Sequence, residues 1–345
     1  MVPGGAGHEL IEERTVFQQA GWVASRPGAV VRRPGGGQAQ SHRERAERRG
    51  EAGVRLLPPC VSAATLVVVM NRWKGHVIRH PLWGAVELTF AWHALLLLFA
   101  EVILPPLAPS WYPDLGATLV NAVCAAGVWL VLWRWGWLRV SAVAVLGRLH
   151  RWWLAAPMLL IACSYAVAGL DGSATVVVSG LVSLLWVGIN EEIYSRGLVQ
   201  QALNPLGPIR AALGVAVLFG TGHIQNFLFF GDPLDDTLWQ MLSAGLFGFT
   251  CAGLRYAIGS VWPMVLVHGL DDFFQIRSPG SAPDWWQASV LVFQAAYGVW
   301  LLRRYGAEGA QSSAEAICSS PSPSSGHSPS PSPDERPGGD SRARA

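Results

Sequence analysis

Three short segments hold the residues whose types and spacing could do chemistry: Glu191, Glu192 and Arg196 in NEEIYSRG, His223 in FGTGHIQNF, and His268 with Asp272 in VHGLDDF. Carboxylates and imidazoles that converge can take a proton from water and hold the negative charge that develops on a carbonyl oxygen. The same groups can ligate a divalent metal such as zinc that activates the water instead, with His223 and His268 as the candidate ligands. All three segments interrupt apolar runs, and ionisable side chains at membrane depth are costly enough to mark function by default.

On one helix, Glu192 and Arg196 stand four residues apart and can pair, while Glu191 lies about 100 degrees round and is left to face another group. A carboxylate in a low-dielectric pocket suits a general base that works on water near neutral pH. The competing reading is a helix end solvated by headgroups, because the apolar run stops near Asn190. His223 lies roughly 18 Å along a helix that begins near residue 211, with Phe219 one turn before it on the same face. Gln225 and Asn226 offer the alternative of a satisfied polar network. Gly220 and Gly222 predict close helix contacts, as do Gly245, Gly248 and Gly253. His268 and Asp272 share a helix face, and Asp271 points elsewhere, toward the interface. A buried His–Asp pair that merely locks helices is the plainer account. No glutamate follows either histidine as in H-E-x-x-H.

These residues need a frame, and the composition supplies one. The 345 residues are 51% hydrophobic and 14% charged, with mean hydropathy +0.31. That is the composition of an integral membrane protein, and the net charge of +2 gives no reason to expect nucleic acid. The expected fold class is all-α, a polytopic membrane bundle of about eight transmembrane helices near 84–104, 115–133, 153–170, 174–190, 211–229, 238–254, 259–275 and 286–302. Both termini in the cytoplasm would place Arg134, Arg139, Arg148, Arg151, Arg196, Arg210, Arg255, Arg303 and Arg304 inside and leave Arg277 outside. The expected location is the cell membrane, with the lipid bilayer as partner. The stretch 137–149 could be a surface-lying helix or an extra pass. Glu87, His93 and Glu101 interrupt the first span. The five cysteines lack C-x-x-C spacing and predict neither a disulfide framework nor a thiolate metal site.

Composition divides the chain into a basic, largely disordered region over 1–80, a membrane domain over 81–304 with its motif core at 174–275, and a disordered Ser/Pro-rich tail over 305–345. Met70 is a candidate for the true translation start, since MNRWKGHVIRHP gives a compact basic lead into the first span.

Glu-Glu-x-x-x-Arg, then Phe-x-x-x-His, then His-x-x-x-Asp, each in its own membrane helix, resembles the CPBP family of intramembrane proteases, also called the CAAX prenyl protease 2 or Abi family, which includes the Rce1-like enzymes. The resemblance covers about residues 174–275 and includes the run IGSVWPMVLVHGLDD. It implies an intramembrane endopeptidase of membrane-associated peptides or proteins, in which Glu191 activates water, His223 works with it, His268 and Asp272 stabilise the oxyanion or orient substrate, and Glu192 and Arg196 brace the helix. Eukaryotic-type members commonly carry asparagine where this chain has Asp272, and an aspartate donates a hydrogen bond only when protonated. The resemblance leaves both a metalloprotease and a metal-free mechanism open. Two other classes stand beside it. A catalytically silent bacteriocin-immunity or membrane scaffold protein could keep the same polar network. A transporter would show paired repeats, which the clustering between 191 and 272 does not.

Overall fold

The computed structural model describes residues 63–103 and 107–318, and every regular element among them is helical. In chain order these are α1 (Ala63–Arg79), α2 (Pro81–Leu97, continued as a wide turn through Ile103), α3 (Leu115–Arg134), α4 (Ala156–Ser164, flanked by tight turns), α5 (Ala174–Glu192), α6 (Gln200–Leu203), α7 (Pro208–Gly222), α8 (Gln225–Phe229), α9 (Leu234–Ile258), α10 (Trp262–Arg277) and α11 (Asp284–Cys318). A wide π turn over Ile193–Val199 joins α5 to α6, so the helical rod runs unbroken from 174 to 206.

Six of these helical stretches are long and apolar enough to cross a membrane: 81–103, 115–134, 149–168, 174–206, 208–229 and 234–258. The two other expected spans are helices as well. α10 has only 16 residues and carries His268, Asp271 and Asp272, and α11 dilutes its apolar face with Gln287, Gln294 and paired arginines. Apolar length and composition alone single out six of the described helices, and α10 and α11 pack within the same bundle, on α5 and α9.

Small residues bring the central helices into backbone contact. A Cβ on Gly188 of α5 would lie 2.7 Å from the Val265 carbonyl oxygen and 3.0 Å from Gly269 N, so α5 and α10 cross at Gly188 and Gly269. A Cβ on Gly220 of α7 would lie 2.4 Å from the Met241 carbonyl oxygen, which puts a second crossing against Gly245 of α9. Close approach of this kind drives helix association where lipid removes the usual hydrophobic drive. α9 also packs on α11, α3 on α5, and α10 on α4.

Three expectations move. The stretch 137–149 is neither a surface helix nor a pass: it is a strap of turns with Val140, Ser141, Ala142 and Val143 buried. It is pinned under the α9–α10 corner, where its carbonyls accept from Arg255 Nη2 at 3.1 Å, Val261 N at 3.1 Å, Trp262 Nε1 at 2.9 Å and Ser260 Oγ at 2.8 Å. Residues 305–318 continue α11 rather than beginning a tail, because Glu308 and Ser312 are held by Arg148 and Arg151. Residues 63–79 are helical, and Met70 lies within α1, its carbonyl accepting from Trp135 Nε1 at 3.1 Å. The remaining expectations for 1–62 and 319–345 lie outside the described residues.

Candidate active site

The Gly188–Gly269 crossing decides what meets. Glu191 and Glu192 follow Gly188 by about one turn and His268 adjoins Gly269, so backbone contact between α5 and α10 brings carboxylates and imidazole together. His268 Nδ1 donates to Glu192 Oε1 at 2.8 Å, and the same oxygen receives Arg196 Nη1 at 2.9 Å. Glu192 and Arg196 are completely buried, so the i,i+4 pair expected from spacing also anchors the histidine of another helix. The Arg196 guanidinium lies over the Phe219 ring, 4.5 Å from its centroid, a cation–π contact that ties α7 to this centre. Gly248 of α9 leaves room for both groups: a Cβ there would sit 3.2 Å from Arg196 Nη2 and from Phe219 Cδ1.

The other face of His268 is turned to two further carboxylates. Nε2 lies 3.6 Å from Glu191 Oε2 and 3.5 Å from Asp272 Oδ2. Glu191 thus faces away from Arg196, as the 100-degree offset predicts, but meets the same His268 that Glu192 holds, through the other ring nitrogen, and Asp272 sits one turn from His268 as expected. Asp271 turns to Gln275, whose Nε2 donates to it at 2.8 Å. Residues 192–203 are buried throughout, so the helix does not end at an interface near Asn190.

His223 closes α7. Its Nδ1 donates to the Phe219 carbonyl at 2.9 Å, and because a carbonyl only accepts, neutral His223 carries its lone pair on Nε2. Phe219 is the shared wall: its ring meets His223 edge-on at 5.3 Å and His268 at 5.9 Å. Asn226 donates to Gln240 at 2.6 Å, away from these rings in sequence, and forms the polar link of α8 to α9.

All six expected residues therefore belong to one neighbourhood, with Glu191, Glu192, Arg196, His268 and Asp272 in direct polar contact and His223 joined through Phe219. A metal is another matter. Zinc takes three or four convergent ligands, and among the described residues no group of three or more His, Cys, Asp or Glu side chains is arranged to hold one. His223 and His268 both pack against the Phe219 ring, and among the described residues no further side chains join them to make a set of three ligands. The residues do not fit a resident metal, so the pair His223 and His268 is not assembled as its ligands.

Sequence reasoning missed the contribution of α2. Trp92 Nε1 donates to the Asn190 side chain at 3.1 Å, and Asn190 Nδ2 donates to Asn121 Oδ1 at 2.9 Å. Trp92 also stacks on Tyr194, with centroids 4.2 Å apart and planes 4° from parallel. The signal available was His93, next to Trp92, a histidine that interrupts an apolar span.

Residues 173–274 match the sequence model of the type II CAAX prenyl endopeptidase Rce1-like family. The matched segment opens at Ser173, the N-cap of α5 whose side chain accepts from Val176 N, and ends in α10. It contains all six residues above and leaves α1–α4 outside. No curated protein and no solved structure matches the chain.

Proposed function

We propose that this chain, with its Rce1-like segment over 173–274, is an intramembrane endopeptidase that hydrolyses peptide bonds of membrane-associated peptides or proteins. The observation that carries the reading is the junction at His268 Nε2, 3.6 Å from Glu191 and 3.5 Å from Asp272, held in register by a fully buried Glu192–Arg196 pair. Glu191 is the base. It takes a proton from water as the water oxygen attacks the carbonyl carbon, and the carbonyl π electrons move to oxygen. His223, with its Nε2 lone pair, accepts from the same water and fixes its direction. His268 donates a hydrogen bond from Nε2–H to the oxyanion, so that charge is met by a preset donor, while Glu191 keeps the proton taken from the water. When the tetrahedral carbon collapses, the C–N bond breaks and Glu191 returns its proton to the leaving amine. Glu192 and Arg196 position His268 and touch no substrate.

The location we propose is the cell membrane, with both termini cytoplasmic. Supporting this, Arg148, Arg151 and Arg304 gather with Glu308 and Tyr305 at one end of the bundle, and Lys74 joins the end of α3 there through the Trp135 carbonyl. A basic end belongs on the cytoplasmic side.

The test is cleavage of a fluorogenic membrane-peptide library by purified protein, wild type against Glu191→Gln, each with and without a strong zinc chelator. The expected result is cleavage by wild type that survives the chelator and vanishes in the variant. Wild-type cleavage abolished by the chelator and restored by zinc would replace the metal-free mechanism with a metalloprotease one.

A further inference from the structure

Two adjacent residues of α2 touch the residue that precedes each water-activating side chain. Trp92 holds Asn190, the neighbour of Glu191, through the 3.1 Å hydrogen bond. His93 abuts Gly222, the neighbour of His223: a Cβ on Gly222 would lie 2.4 Å from His93 Nε2 and 2.7 Å from Cε1. α2 lies outside the family-matched segment, which begins at 173. His93 is itself locked, since its Nδ1 donates to the Thr89 carbonyl at 2.8 Å and its ring meets the Trp92 and Tyr194 faces edge-on at 4.7 and 6.3 Å. Like His223, it is thereby fixed with Nε2 as the acceptor.

We propose that Trp92 and His93 act as a caliper, setting the separation between Glu191 on α5 and His223 at the end of α7. Both are positioning residues: they act through Asn190 and Gly222 and touch no reacting atom. The physical logic is that Glu191 and His223 stand on different helices, and α2 touches the neighbour of each, beside the Arg196–Phe219 contact that joins the same two helices. Gly222 must then be glycine, because any side chain there displaces His93 from its seat. Misplacing a reacting group by about 1 Å can cost on the order of a hundredfold in rate.

The inference rests on the protease reading for its kinetic readout, so the test includes one that does not. With ¹⁵N-histidine-labelled full-length protein in detergent, the His223 resonances, assigned by their loss in His223→Gln, should move in His93→Ala. Kinetically, His93→Ala should lower kcat roughly ten- to a hundredfold with KM within about threefold. Trp92→Phe keeps the stacking and loses the Asn190 bond, and should lower kcat less, with KM again held. Gly222→Ala should lower kcat and Tm through the collision with His93. The double variant His93→Ala with Gly222→Ala should recover the Tm lost by Gly222→Ala and be no slower than His93→Ala alone. Unmoved His223 resonances in His93→Ala, or strictly additive losses of Tm in the double variant, would overturn the caliper. Wild type without cleavage would instead overturn the protease reading and leave the resonance and Tm arms to decide this one.

Discussion

At the scale of single residues, the proposed base, Glu191, is distinct from its proposed braces, Glu192 and Arg196. Glu191→Gln keeps shape and hydrogen-bonding capacity, so activity should fall to background while Tm and membrane expression stay near wild type. Arg196→Ala leaves Glu192 buried with only His268 as a partner, and breaking such a pair costs about 3–5 kcal/mol. Its expected signature is a Tm drop much larger than that of Glu191→Gln, measured by thermal scan in detergent. Equal losses of folded protein in both would argue against distinct roles. Much of this division was legible in spacing, because a 3.6-residue helix must aim Glu192 and Glu191 differently. The partner of Glu192 was not. Nothing local in VHGLDDF says that His268 reaches Glu192 with one nitrogen and Glu191 with the other, since that follows from where two helices cross.

Crossings belong to the scale of elements, where glycine makes the decision. Gly188→Ala pushes a methyl group into the Val265 carbonyl, at 2.7 Å, and backbone cannot swing aside as a side chain would. Overpacking of this kind costs typically about 1–3 kcal/mol. Parting α5 from α10 also parts Glu191 from His268, so activity should fall further than Tm alone explains, whereas a substitution at the exposed Val178 of the same helix should do neither. The glycines near His223 were read correctly as packing surface, yet a single sequence cannot say which helix each one meets. Apolar windows likewise locate α10 and α11 but not their lengths. The strap over 137–149 was unreadable as either helix or loop, because its apolar residues are buried by tertiary contacts while its carbonyls are satisfied by Arg255, Ser260 and Trp262.

For the whole molecule, charge placement sets orientation, but three arginines are not part of that count. Arg196, Arg255 and Arg277 are buried, the last paired with Asp114 at 3.2 Å, so orientation rests on those at the rim. Epitope tags at both termini should be protected from protease in right-side-out vesicles, and exposure of either contradicts the topology. The same rim explains why α11 outlasts its apolar part. The hydrogen bond from Arg151 holds the Glu308 carboxyl below the usual carboxylate range. A lowered folded value adds stability above the unfolded range that is lost as pH falls through the lowered value. Glu308→Gln should therefore lower Tm slightly at neutral pH, with the difference shrinking on acidification. The family signal covers the site and not the first four helices, which is why the contribution of α2 had to come from geometry. The most direct test of the whole account remains cleavage of a membrane-peptide library by the purified protein beside Glu191→Gln in the presence of a zinc chelator. Chelator-resistant cleavage that disappears in the variant is the predicted result. A well-folded wild type that cleaves nothing across a broad library, or a Glu191→Gln variant that cleaves as well as wild type, contradicts it.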